Sequence, residues 1–187
     1  MTLINADYKR QLQEMHSGDT KFNRSGGKKL KIIKRYLKQY APTSLIDFGC
    51  GRGEMLPLLA EQYNITAIGY DPGVAKFENI PTTPMESLTS TDVLEHVELE
   101  MIDDTLKTIN TLFTKSAFLL IASYPAKKTL PDGRNAHLII ESFDWWKTKI
   151  ETFIDGKMVR ADSVPVTLTP GKGPVITGHE YIFIIEK

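Results

Sequence analysis

Asp47 is followed at alternate positions by Gly49, Gly51 and Gly53, directly after the apolar run Leu45-Ile46. A carboxylate there can accept hydrogen bonds from a cationic or hydroxyl-bearing group. Glycines let the backbone pass close beneath a ligand, where a Cβ would collide with it. A second apolar run, Thr66-Ala67-Ile68-Gly69-Tyr70, ends in Asp71, a carboxylate able to clamp both hydroxyls of a ribose. A third acid, Asp92, opens the segment Asp92-Val93-Leu94-Glu95-His96. Its i, i+3, i+4 spacing would gather Asp92, Glu95 and His96 on one face of a helical turn. Two carboxylates and an imidazole can hold a divalent cation such as Mg²⁺ or Mn²⁺. A histidine can equally act as general base, because imidazole titrates near neutrality. His137, in Pro131-Asp132-Gly133-Arg134-Asn135-Ala136-His137, adds a further ligand or base.

The elements that would position these residues alternate between strand and helix. Strand 44–49, helix 53–63, strand 65–71 and a short helix over 73–78 form the first units. Residues 79–85, with Pro81 and Pro84, read as an irregular connection. The strand expected after residue 78 is therefore short or missing. A strand over 86–92 leads to helix 98–113, whose apolar face carries Leu99, Ile102, Leu106, Ile109 and Phe113. Strand 116–123 is short and apolar, as in a central parallel strand. A long loop holding His137, a helix over 142–153 and strands over 157–167 and 179–187 complete the pattern. The last two strands flank the turn Thr169-Pro170-Gly171-Lys172-Gly173-Pro174 and read as a hairpin. Before the first strand come a helix over 7–15, a loop from His16 to Lys28 and a helix over 28–40 with a basic stripe, read as a solvated face. This is an α/β chain, its sheet mostly parallel with a terminal antiparallel hairpin. Open sheets of this kind bind ligands at the carboxyl edge of the strands, where Asp47, Asp71 and Asp92 all fall.

The glycine spacing discriminates between ligands. A dinucleotide site spaces its glycines G-x-G-x-x-G and cradles a pyrophosphate at a helix N-terminus. Here the third glycine comes one residue early and an acid precedes the first by two. Asp71 would serve either nucleoside ligand, so an NAD-linked enzyme stays open as the alternative.

Composition narrows the classes further. With 187 residues and 41% apolar content, the chain suits one well-buried domain over 1–187. Lys+Arg and Asp+Glu both number 23. That balance gives no sign of duplex nucleic-acid binding. No apolar run approaches membrane-spanning length and the polar start lacks a signal-peptide core. The single cysteine, Cys50, cannot form an internal disulfide, and a cytoplasmic location is expected. The oligomeric state is left open.

The run Asp47-Phe48-Gly49-Cys50-Gly51-Arg52-Gly53 resembles the first motif of class I S-adenosylmethionine (SAM)-dependent methyltransferases. The resemblance implies a three-layer Rossmann-like fold, with 1–40 as a helical segment, 44–123 as the cofactor core and 124–187 as substrate loop, helix and hairpin. It places Asp47, Gly49, Cys50, Gly51, Gly53, Asp71, Pro72, Asp92 and Val93 around the cofactor, with Asp47 at its amino-acid head. It also makes the segment from Tyr8 to Lys28 a candidate lid. The set Asp92, Glu95, His96 and His137 looks like the metal site of small-RNA 3′-terminal ribose 2′-O-methyltransferases, although Asp stands where those have Glu. Glu95, His96 and His137 are the catalytic candidates. The Asn/Asp/Ser-Pro-Pro-aromatic motif of amino-methyltransferases is missing after the fourth strand, and Cys50 is committed to the turn. Methyl transfer to a hydroxyl of a small molecule, sugar or nucleotide is the expected activity. A SAM-binding protein without transferase activity, as lyase or partner subunit, and an RNA 3′-terminal ribose methyltransferase are the competing readings.

Overall fold

The structure is a computed structural model describing residues 3–17, 26–169 and 174–187. Helices α1 (Ala6–Ser17) and α2 (Gly26–Tyr40) precede strand β1 (Ser44–Phe48), helix α3 (Met55–Tyr63) and strand β2 (Thr66–Tyr70). Strand β3 (Met85–Thr91), helix α4 (Ile102–Thr111), strand β4 (Phe113–Ser123) and helix α5 (Phe143–Phe153) follow, and strands β5 (Lys157–Leu168) and β6 (Ile176–Glu186) close the sheet.

The six strands lie in the order β2-β1-β3-β4-β6-β5. The first four run parallel, and β6 is antiparallel to both β4 and β5. Among the described residues no strand lies between Tyr70 and Met85, so β2 forms the edge where the shortened strand was expected.

Alternation along the strands sorts side chains into two layers. Leu45, Phe118, Leu120, Ile182 and Ile184 face one way, onto Ile33, Tyr36 and Leu37 of α2 and Leu59 of α3. Their neighbours Ile46, Ala117, Leu119, Ile121, Phe183 and Ile185 face the other way, onto Leu106 and Ile109 of α4 and Trp146 and Ile150 of α5. The result is a helix–sheet–helix sandwich, the Rossmann-like α/β arrangement expected from the sequence.

Three local expectations are corrected. The helix placed over 98–113 splits into a 3₁₀ turn, Leu99–Met101, and α4. Leu99 stands 58% exposed, because a 3₁₀ turn rotates side chains off the 3.6-residue stripe. Phe113 opens β4, paired in register with Met85, rather than closing the helix. The loop over His16 to Lys28 is shorter than read: His16 and Ser17 end α1, and Gly26 opens α2 despite its poor helix propensity. Residues 18–25 of that expectation lie outside the described residues, as do 170–173 of the hairpin turn.

Leu88, fully buried at the middle of β3, lies in register with Ile46 on one side and Ala117 on the other. Leu88→Ala is expected to cost about 2–5 kcal/mol. Urea denaturation would show this as a lower midpoint at unchanged slope.

Candidate active site

The glycine turn is held by three contacts. The amides of Gly49 and Cys50 both donate to the carbonyl of Tyr70, at 2.7 and 3.0 Å. Gly49 has φ +82°, and a Cβ there would stand 2.2 Å from a methyl of Val93. Glycine is required twice over, by backbone and by space. Gly53, at φ +71°, meets the Phe77 ring in the same way. The amide of Gly51 donates to Oδ2 of Asp71 at 2.8 Å, and that of Gly73 donates to Oδ1 at 2.9 Å. These amides fix the Asp71 carboxylate at the end of β2, with His16 Nε2 at 3.8 Å from Oδ1. Burial raises the Asp71 carboxyl, and His16 and the two amides work against that rise.

A cavity of 330 Å³ runs along this edge. Gly49, Asp71, Pro72, Asp92 and Val93 line its expected cofactor end, and His96, Tyr124 and His137 line the other. Leu3, Ile4, Tyr8 and Leu12 of the N-terminal segment and α1 cover it. Its volume lies at the small end of ligand pockets. Cys50, Gly51 and Gly53 form the turn behind this wall. Asp47 is set back beneath the turn, 3% exposed, and its Oδ1 accepts from the Thr89 hydroxyl at 3.0 Å.

The second cluster depends on Glu95. Its main-chain carbonyl accepts two amides, from Leu138 at 2.7 Å and Ile139 at 3.0 Å. That pins the loop after β4 against the turn after β3, and so brings His137 to His96. The two imidazoles meet edge to face, with centroids 4.8 Å apart. His96 Nδ1 donates to the carbonyl of Ala136 at 2.6 Å, and His137 Nδ1 donates to that of Tyr124 at 2.5 Å. A carbonyl only accepts, so each Nδ1 carries the proton and each Nε2 keeps its lone pair. Burial, then the neighbouring His137, lowers His96 to about 4, and burial lowers His137 as well. Both rings are neutral at neutral pH.

Glu95 is wholly buried. Its Oε1 accepts from the amide of Ala122 at 3.2 Å, while Oε2 is buried with no hydrogen-bond partner. Desolvation, then the charge of Asp92, holds its carboxyl well above the usual range. One ligand atom from each of Glu95, His96 and His137 lies within 4.8 Å of the other two. Asp92 stands outside this group. It takes φ +54° ahead of the 3₁₀ turn Leu94–His96, so Asp92 does not share one helical face with Glu95 and His96 as the spacing implied. Its Oδ1 lies 3.6 Å from Lys29 Nζ instead. Burial raises the Asp92 carboxyl, and Lys29 opposes that rise.

Two contacts near the cavity were not read from the sequence. Tyr8, 2% exposed, donates its hydroxyl to the carbonyl of His96 at 2.7 Å. Lys29 shares a helix face with Ile33 and Tyr36, both buried. A lysine one and two turns from core residues was the available signal. Trp146 is core, whereas Trp145 lies under the Lys149 ammonium and off the cavity.

A family model described as a methyltransferase domain matches residues 21–161. No curated protein matches the sequence. Among solved structures, the chain is similar to a Burkholderia thailandensis 1,6-didemethyltoxoflavin-N1-methyltransferase with its substrate and S-adenosylhomocysteine bound. Identity is 14% and the TM-score 0.56, over 97% of this chain and 89% of that one. It is also similar to a SAM-dependent methyltransferase from Archaeoglobus fulgidus, with 17% identity and TM-score 0.50 over 84% and 94%. A third similarity is to the methyltransferase domain of the bacterial CtHen1-CN, with 15% identity and TM-score 0.51 over 83% and 96%. No helix among the described residues is long and apolar enough to cross a membrane.

Burial pushes the Asp47 carboxyl up from 3.8 to about 6. A carboxyl raised on folding contributes stability that is complete below its unfolded value and lost as pH rises through the folded one. Asn at this position keeps an acceptor for Thr89 and carries no charge. Asp47→Asn is therefore expected to exceed the wild type in stability at pH 8 by on the order of 1–3 kcal/mol. Denaturation at pH 8 and pH 4 checks this, the gap narrowing at the lower value.

Proposed function

The chain belongs to the class I S-adenosylmethionine-dependent methyltransferases, and from that premise we propose that it methylates a hydroxyl group of a small acceptor or of an exposed terminal sugar. The observation that carries this reading is the convergence of His96 and His137 on one end of the cavity, with Glu95 buried beside them and within reach of both. Both imidazoles are neutral, with Nε2 unprotonated and Nδ1 held by a carbonyl. Such a nitrogen accepts the proton of an acceptor hydroxyl as its oxygen attacks the methyl group in line. His137 or His96 is the base in this scheme. Asp71 holds the ribose, and the backbone at Gly49 passes under the cofactor. The pocket supplies proximity. The cavity volume suits a small acceptor, as in the Burkholderia relative with its bound didemethyltoxoflavin.

The same residues fit a divalent cation. The buried, partnerless Oε2 of Glu95 and the two Nε2 atoms are the donors that would hold it, and the carbonyls on each Nδ1 orient the rings as metal-bound histidines are oriented elsewhere. When bound, a cation of this kind lowers the pKa of a coordinated hydroxyl. Oxygen and imidazole donors together suit Mn²⁺ or Mg²⁺.

Helix α1 covers the site in this reading. It is tied to the acceptor side through Tyr8 to His96 and through Gln11 to Asp132 at 2.9 Å. On the cofactor side, Lys9 pairs with Glu78 at 2.7 Å, and Arg52 donates to the carbonyl of His16 at 2.5 Å.

With methyl-labelled SAM and pooled hydroxyl or amine acceptors, label is expected in the hydroxyl pool with S-adenosylhomocysteine as co-product. His137→Ala should lower kcat by about 10²–10⁴. Methylthioadenosine released from SAM alone would replace this reading by a lyase, and label confined to amines would remove the hydroxyl assignment. Independently of turnover, Mn²⁺ should raise the melting temperature of tag-free protein and leave that of Glu95→Gln unmoved. No shift, with full activity in EDTA, leaves the histidine base alone.

A further inference from the structure

Between β4 and α5 the chain runs out to a tip at Asp132 and Gly133 and then returns, forming a loop with two arms. His137 stands on the returning arm and donates from Nδ1 to the carbonyl of Tyr124 on the outgoing arm. Ala136, beside it, offers its carbonyl to Nδ1 of His96. Both imidazoles therefore depend on where the returning arm lies.

Main-chain hydrogen bonds hold this arm at two levels. Near the tip, the amide of Leu130 donates to the carbonyl of Arg134 at 2.8 Å, and that of Ala136 donates to Lys128 at 3.0 Å. Further along, the amides of Leu138 and Ile139 turn away from the opposite arm and donate to Glu95. His137 lies between these levels. Among the described residues, no bond between main-chain groups joins the arms at that point.

The side chain of Asn135 fills the gap. Its Oδ1 accepts from the amides of Ala126 and His137, both at 2.9 Å, and its Nδ2 donates to the carbonyl of Ala126 at 3.0 Å. Two backbone donors and one backbone acceptor admit a single orientation of the carboxamide. Among side chains of this length only asparagine offers both an acceptor with two lone pairs and a donor. Backbone groups taken out of water need partners, and three of them here share one side chain. Asn135 is half-buried and does not line the cavity, so it acts through the residues it holds.

The consequence falls on the proton of His137. Ala126 lies two residues after Tyr124, whose carbonyl keeps that proton on Nδ1. Without the clip the outgoing arm can draw this carbonyl away from the ring. The hydrogen bond made by one ring nitrogen decides which nitrogen is protonated, so the proton is then released to Nε2. A ring in that form presents a donor where the lone pair stood. It can neither accept the proton of a hydroxyl nor hold a cation.

Resting on the reading of His137 as base or ligand, we propose that Asn135 is a positioning residue of the methyl-transfer site. It joins the two arms of the loop and thereby keeps the lone pair of His137 on Nε2.

Nitrogen-15 NMR of the histidine rings tests this on the full-length protein and needs no acceptor. In the wild type at neutral pH, His137 is expected as the neutral form protonated at Nδ1. Asn135→Ala should convert most of it to the form protonated at Nε2. Turnover of methyl-labelled SAM against the hydroxyl pool should fall about tenfold, as on loss of an outer partner of a functional histidine, with affinity for S-adenosylhomocysteine unchanged. Asn135→Asp keeps the acceptor for both amides and loses only the donor, so its ring and turnover should lie between wild type and Asn135→Ala. A ring that keeps its wild-type form in Asn135→Ala overturns the proposal, as does an equal loss of S-adenosylhomocysteine affinity and turnover, which would make Asn135 a general support of the fold. Should Asn135→Ala fail to fold, the wild type still decides. Scalar coupling across the hydrogen bond from the His137 amide to Cγ of Asn135 is expected, and its absence, or a His137 ring protonated at Nε2, overturns the assignment. Full turnover by His137→Ala would remove the base reading and this proposal together, whereas an unmoved ring in Asn135→Ala removes this proposal alone.

Discussion

The bend at Gly49 is the constraint on which the site is built. Its amide reaches the carbonyl of Tyr70 at the end of β2, and the space a Cβ would need is filled by Val93 beyond the end of β3. One residue thus ties together the exits of three adjacent parallel strands. If the chain left β1 in an extended path, Asp71 would lose the Gly51 amide that fixes its carboxylate, and Val93 would lose its seat. Close packing leaves no intermediate arrangement, because interiors have almost no spare volume.

Desolvation governs the chemistry of that edge. Asp47, Asp71, Asp92 and Glu95 are all raised by burial, and the partners that offset the rise differ. Asp71 is fed by two backbone amides, and Asp92 by Lys29. For Glu95 the amide of Ala122 helps, but one oxygen has no partner. Low dielectric strengthens every satisfied interaction and penalises every unsatisfied one. The two partnerless oxygens, on Asp92 and Glu95, therefore carry the largest unmet demand on that edge.

Much of this was legible in the residues themselves. The acid-and-glycine turn and Asp71 each lie within a few consecutive positions, so local pattern reports them. The missing strand after residue 78 was announced by Pro81 and Pro84, which cannot sit in a sheet interior. What escaped was set by long-range packing or by single dihedrals. Nothing in Asp92-Val93-Leu94-Glu95-His96 reveals that Asp92 turns left-handed and leaves the other two. The partnership of His96 with His137 follows from two amides on one carbonyl of Glu95, a contact that depends on the path of a forty-residue excursion. Glu180 lies on a strand whose pairing with β4 places it beside Ala122, and no local periodicity carries that register.

The placement of α1 follows from the same economy of surface. Its apolar residues Tyr8 and Leu12 pack against Leu130 and Ala136 of the loop after β4, a small cluster separate from the two main layers. Such a satellite holds few buried groups, so it opens at less cost than the sheet core does. Polar ties at both of its ends, to Glu98 through Asn5 and to the glycine turn through Arg52, make its docking depend on each half of the cavity at once.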